Sequence, residues 1–388
     1  MSATGKSIYV PGIALLRDEV VTQPISWYRT MRTTQPLYYN PEYDLWEVFT
    51  YPEVQKVLTA CSDFSSEFIP ANAALRPSIV RLDPPRHRQI RNLVAQAFTC
   101  RSISRLTPRI AKIVHGLLNQ AASNGAMDIV NDLAHPLPIY VIAELLGVPA
   151  EDHERFKRWS NEVVACSDEM ETRPHEAMDQ YFCEMLEQRK KDPRDDLISE
   201  LLAASIGGEK LTHDQLLAFC TILLIAGNLT TTHLISNAML CFEQHPEVVE
   251  QLRNNPALIP DAVEEVLRYR SPIRLITRLA TRDTVLLGQQ IKAGQMVVAW
   301  LASANLDEQQ FPHADQFDIT RSSHDHIAFG YGVHFCLGAP LARLEAKIAL
   351  ESMFARFPVI RRIPHIPVEP IPSLMLNGVR QLPVTFLA

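Results

Sequence analysis

A mainly α fold with small β-sheets is predicted by three observations. The longest periodic segment, Thr212 to His245, opens on a Thr212/Gln215 capping box and closes at Pro246. At 1.5 Å per residue it spans roughly 45–50 Å, enough to cross a whole molecule. Most other segments carry helical periodicity or helix-starting prolines, whereas the strand signals are short and lie near the two ends. No linker, low-complexity tract, charge block or internal repeat divides the 388 residues. One domain, 1–388, is therefore expected, although length alone favours two.

The composition narrows the function classes. With 47% hydrophobic residues the chain can bury a large core, and a formal charge of −7 argues against a general nucleic-acid binder. Seven cysteines, odd in number and without a CxxC pair, fit a reducing compartment better than a disulfide framework. The start, MSATGKSIYVPG, lacks the basic and apolar regions of a secretory signal. The apolar run around Ile222 to Ala226 is too short to span a bilayer. A soluble, cytoplasmic, monomeric protein without membrane attachment is expected.

Residues 37 to 51 read as two short strands turning at Asn40-Pro41, and Pro52 starts an amphipathic helix. Ser62 to Val80 reads as an irregular loop. Its apolar members Phe64, Phe68, Ile69, Leu75 and Ile79 form either the loop's own core or a pocket wall. Pro84-Pro85 starts a helix that puts His87 and Arg91 one turn apart on one face. They are either ordinary solvated basic residues or a two-donor clamp for an anion. The segment holds Arg81, Arg86, Arg88, Arg91, Arg101, Arg105 and Arg109 against a single acid, Asp83.

Pro136 and Pro138 divide 129–147 into a loop and a helix, and 151–185 is charged and helical. In the long helix, AGNLTTT places Ala226 and Thr230 one turn apart, a pattern of close packing or a bend. Glu265 and Arg268 are three apart on a helix, ordinarily a surface ion pair worth little. The tail from Leu374 to Phe386 reads as a hairpin turning at Asn377-Gly378.

The chemistry concentrates between Ala328 and Glu345, AFGYGVHFCLGAPLARLE. Glycines at this density allow tight turns, and helical periodicity begins after Gly338 and ends before Pro358. Cys336 thus precedes a helix N-terminus, where amides and the dipole favour a thiolate. Such a group is open to being a nucleophile, a metal ligand, an iron ligand in haem, or a small buried hydrophobe.

Phe329, Gly330, Gly332, His334, Cys336, Gly338, Leu341, Ala342, Arg343 and Glu345 together resemble the haem-ligand loop of the cytochrome P450 family. The likeness extends over nearly the whole chain, in the right order. It implies the P450 fold with a long central helix over haem b, Cys336 as the axial thiolate, and Phe329 and Gly338 in the loop around the cofactor. His87, Arg91, Arg278 and His334 match the donors to its propionates. Ala226 and Gly227 would leave room for oxygen, and Thr230 would hydrogen-bond it. Glu265 and Arg268 match the family's buried E-x-x-R pair, with Arg321 as a further partner.

The implied function is monooxygenation of an apolar small molecule by dioxygen, with electrons from a ferredoxin and its reductase. The arginines not used by haem would dock that acidic donor. Phe68, Ile69, Ile79, Leu223, Arg274, Ile276, Leu374 and Met375 fall in segments that line the substrate pocket of relatives, with Arg76 and Arg274 able to hold a carboxylate. One position departs from the family: the acid before the threonine is Leu229, which cannot deliver a proton. That keeps a peroxide-using peroxygenase open beside the monooxygenase, with a non-catalytic haem sensor as a third class. His233, one turn beyond Leu229, is a candidate proton carrier titrating near neutrality, or a packing residue.

Overall fold

The central helix, His213–Gln244, runs 32 residues, and its capping box is formed as the sequence predicts. Gln215 N–H donates to Thr212 Oγ1 at 3.3 Å, and Thr212 N–H donates to Gln215 Oε1 at 2.9 Å. The computed structural model describes residues 24–68, 79–122, 125–165, 173–206 and 208–387. Around the central helix pack Pro136–Leu146, His153–Ala165, Arg173–Lys191, Ile259–Tyr269 and Ala339–Arg356. Their apolar faces make the largest hydrophobic cluster, from Ile90 to Phe386.

Five short strands form one mixed sheet in the order β1 (Leu37–Asn40), β2 (Leu45–Val48), β8 (Met296–Ala299), β5 (Ile276–Ala280), β3 (Phe64–Ser65). Only β2 and β8 are parallel. The register sets Ser65 opposite Leu279, so the loop after β3 arrives beside Arg278. A hairpin joins β6 (Thr284–Leu286) to β7 (Gln289–Ile291). β4 (Ala126–Asp128), β10 (Pro383–Leu387) and β9 (Val359–Arg362) make a three-stranded sheet.

Three expectations change. The tail is not one hairpin: a tight reversal bridges Pro370 to Val379, and 383–387 leaves to pair with β4 and β9. The apolar segments are also longer than the sequence run suggested, and Ile129–Ala134, expected as a loop, is a π-helical stretch leading into the helix Pro136–Leu146. Ile129–Leu146 and His213–Gln244 are long and apolar enough to cross a bilayer, but both are mostly buried against other helices.

Candidate active site

The cysteine loop is shaped by two left-handed glycines, Gly330 (φ 74°) and Gly332 (φ 71°). Between them and the helix Ala339–Arg356, Cys336 N–H donates to the Phe329 carbonyl at 2.9 Å, closing the loop on itself. The dipole expectation for its thiol meets a stronger opponent. Burial of the sulfur pushes the pKa up, outweighing the Gly338 and Ala339 amides and the Arg91 and Arg343 charges. The residue as a whole nevertheless keeps exposed surface.

Basic groups converge next to it. The rings of His87 and His334 lie 4.2 Å apart. Burial, followed by the charges of His87 and Arg278, lowers His334 to about 3. His87 is 1% exposed and its Nδ1 has no hydrogen-bond partner. Arg91 Nη2 donates to the Phe335 carbonyl, beside the cysteine. Arg278 is buried in β5, with Nη1 on its neighbour Thr277 O. The acid facing this cluster is Asp83, and it is engaged by Ser65 Oγ and Ser66 N–H. Ser66 Oγ in turn meets His334 Nε2 at 3.1 Å. Four basic groups gathered around one engaged acid, with an unpartnered buried imidazole nitrogen, are surroundings that two carboxylates would complete. The donor set fits the propionates of a haem, and a lone thiol fits one axial position. Among the described residues no three His, Cys, Asp or Glu gather to hold a metal ion by themselves.

On the central helix the small residues divide their work. Ala226 is exposed within a largely buried helix. Gly227 instead packs on Ile142, whose Cδ1 lies 3.2 Å from where a Cβ would stand. Its missing side chain therefore serves helix contact rather than room for oxygen. Thr230 Oγ1 donates to the Ala226 carbonyl at 2.8 Å, which leaves its lone pairs free to accept.

The E-x-x-R pair is buried: Arg268 Nε and Nη2 donate to Glu265 at 2.8 and 2.7 Å, and Arg321 joins at 3.3 Å. Arg268 also donates to the Asn305 carbonyl, and Asn305 Oδ1 accepts Ile327 N–H at the start of the cysteine loop. Asp83, Ser66, Asn305, Glu264 and His326 all support this site and were not legible as a set. The tandem acids Glu264-Glu265 were the one available signal, since adjacent helix positions point about 100° apart and so meet different neighbours.

Of the residues proposed to meet substrate, Phe68, Ile79, Leu223 and Ile276 are half-buried. Ile69 and Arg76 lie outside the described residues. Leu374 belongs to a core cluster with Tyr28 and Trp300, and Met375 is 48% exposed. Arg274 cannot serve a substrate carboxylate: its guanidinium donates to the carbonyls of Ser373 and Leu376 and to Asn377 Oδ1. It holds the 373–377 reversal instead. His233 is buried among Arg274, His135 and this reversal, and burial lowers it to about 4, away from neutrality.

Loop, basic cluster and traversing helix define an oxidoreductase of the haem-thiolate class. The family model described as cytochrome P450 matches residues 154–377. A cytochrome P450 109 of Bacillus spizizenii is 42% identical over 380 residues, covering 95% of this chain and 92% of its own. The structure of CYP109Q5 from Chondromyces apiculatus superposes with a TM-score of 0.90 at 40% identity, covering 96% of this chain and 97% of that one. CYP109E1 from Bacillus megaterium, solved in complex with testosterone, gives 0.89 at 39% identity, covering 94% and 99%. The chain belongs to the cytochrome P450 family, whose members are haem-dependent monooxygenases.

Proposed function

We propose that this chain is a haem b monooxygenase acting on an apolar small molecule, with Cys336 as the iron ligand and a ferredoxin as electron donor. The observation that supports it most is the joining of a glycine-bounded loop cysteine to an adjacent, under-neutralised basic cluster. When bound, haem supplies dioxygen activation with two electrons, so that one oxygen atom enters the substrate. His87, Arg91, Arg278 and His334 bind and orient the propionates. Arg91 also braces the Phe335 carbonyl. Phe329 and Gly338 fix the loop, and Arg268, held by Glu265 on the helix Ile259–Tyr269, ties that helix to the loop's start through Asn305. Ala226 presents only a methyl, and Thr230 accepts a proton-bearing group without generating protons.

Phe68, Ile79, Leu223 and Ile276 favour an apolar ligand, and the testosterone complex of a 39% identical relative supports one of steroid size. With Arg274 engaged, no carboxylate anchor is assigned. The described cysteines 61, 183, 220, 241 and 336 are unpaired, which supports a reducing cytoplasm. We read the chain as one domain and a monomer.

The test is the reduced, carbonyl-bound spectrum. Wild type is expected to show the strongly red-shifted band of thiolate ligation, and Cys336→Ser to lose it. A variant that keeps the band sinks the assignment.

Leu229 favours a second reading, peroxide-driven oxidation. Thr230 already commits its proton to Ala226, and its chain neighbours, Leu229 and Thr231, are not acids. Product per NADPH is expected to be low with ferredoxin-driven electrons, activity with hydrogen peroxide comparatively good, and Leu229→Glu to raise the coupling. Efficient wild-type coupling, unimproved by Leu229→Glu, would exclude this reading.

A further inference from the structure

Glu264 points away from its neighbour Glu265 and joins three elements behind the cysteine loop. Arg343, on the helix Ala339–Arg356, grips it with both arms of its guanidinium, Nε to Oε1 at 2.6 Å and Nη2 to Oε2 at 2.7 Å. This is the planar fork geometry in which arginine outperforms lysine. His326, at the loop's entry, meets Glu264 Oε2 through Nε2 at 3.1 Å. Its Nδ1 accepts Ala328 N–H at 3.3 Å, so the ring proton is assigned to Nε2 and donates to the carboxylate. Burial opposes the charge on Glu264, but the bonds from Arg343 and His326 overcome it and hold its pKa at about 2.

Besides the direct effect of the Arg343 charge on the thiol, the cluster reaches the cysteine backbone through one ring. The Arg343 guanidinium lies 4.6 Å from the Phe329 ring centre, within cation–π range. The Phe329 carbonyl is the acceptor of Cys336 N–H. Phe329 is thus held on one side by Arg343 and holds Cys336 on the other. The side chain of His326 is 2% exposed and that of Glu264 15%, so water competes weakly for their bond, whereas the Arg343 side chain keeps 36% of its surface exposed.

We infer that Glu264, His326 and Arg343 form a positioning cluster for the thiolate. Through Phe329 they fix the Cys336 backbone, so that the sulfur stays on the iron when the ligand bond is weakened. This rests on the haem-thiolate reading above. It differs from a purely structural tie between two helices, which would lower global stability without acting selectively on the sulfur.

The experiment follows loss of thiolate ligation in the reduced, carbonyl-bound holoprotein, together with the haem reduction potential, well below the unfolding temperature. Glu264→Gln keeps the shape and removes the charge. It should speed conversion to the form lacking the thiolate band by roughly tenfold, and shift the potential. Arg343→Lys should behave alike, since lysine cannot make the flat fork. His326→Phe leaves that fork intact and should show a smaller acceleration. It also carries the comparison if Glu264→Gln does not fold. Combining Glu264→Gln with Arg343→Lys should add little beyond either alone. Variants that convert at the wild-type rate with an unmoved potential, whatever their unfolding temperatures, overturn the inference alone. A wild type without a thiolate band sinks the haem-thiolate reading, and this inference with it.

Discussion

His233 and Gly378 illustrate what a single side chain demands of a distant one. A Cβ on Gly378 would stand 2.0 Å from His233 Nδ1, so only glycine lets the 373–378 reversal close over this ring. The ring is buried beside Arg274 and its pKa falls to about 4. In the unfolded chain it would titrate near 6.5, so between those values the unfolded state binds more protons. The contribution is complete above pH 6.5 and lost as pH falls towards 4. Its size is about 3 kcal/mol. The stability of wild type relative to His233→Asn should therefore fall by about that amount over this range, read from urea unfolding at each pH. A constant difference would mean that the ring is protonated in the folded protein. The sequence places His233 one turn from Leu229 but contains no sign of what covers it. Its partners, Arg274 and Gly378, arrive from elsewhere in the chain, and burial rather than helix face decides its charge. The same applies to Arg274, whose type suggests a ligand and whose neighbours make it a staple.

At the scale of elements, the helices were legible because their signals are local. The Thr212/Gln215 box, the prolines at helix starts and the glycine-rich loop all act within a few residues. The tail was misread because β10 pairs with β4 across more than 250 positions, which no local pattern announces. Division of labour along the central helix was likewise hidden until packing chose the faces. Gly227 meets the helix Pro136–Leu146 through Ile142, whereas Ala226 is exposed. Gly227→Val should push these helices apart and cost about 1–3 kcal/mol, despite the better helix propensity of valine. Ala226→Val should leave stability within about 0.5 kcal/mol while weakening ligand-induced changes in the haem spectrum. Thermal unfolding and ligand titration of both variants separate the two faces. Equal losses of stability would show that both residues serve packing.

At the scale of the molecule, charge is unevenly spread. The chain carries a formal −7, yet Arg86, Arg88, Arg101, Arg105 and Arg109 are all exposed within one short stretch. The helices Cys100–Ser104 and Thr107–Ala122, where three of them lie or adjoin, pack against the helix that follows Cys336. Arg91 reaches the Phe335 carbonyl, and Phe335 is 39% exposed, so this basic region adjoins the outer side of the cysteine loop. An acidic electron donor would be steered there by long-range attraction, which acts on association rate and fades with salt. Arg101→Glu combined with Arg105→Glu should slow reduction by a ferredoxin about tenfold at low ionic strength and flatten the salt dependence. The carbonyl spectrum and peroxide-driven turnover should stay as in wild type, because neither arginine touches the basic cluster or the loop. Stopped-flow reduction across a salt series decides it. An unchanged rate at low salt would mean that the donor approaches by another face, and a loss of peroxide-driven turnover would mean that the substitutions disturbed the site itself.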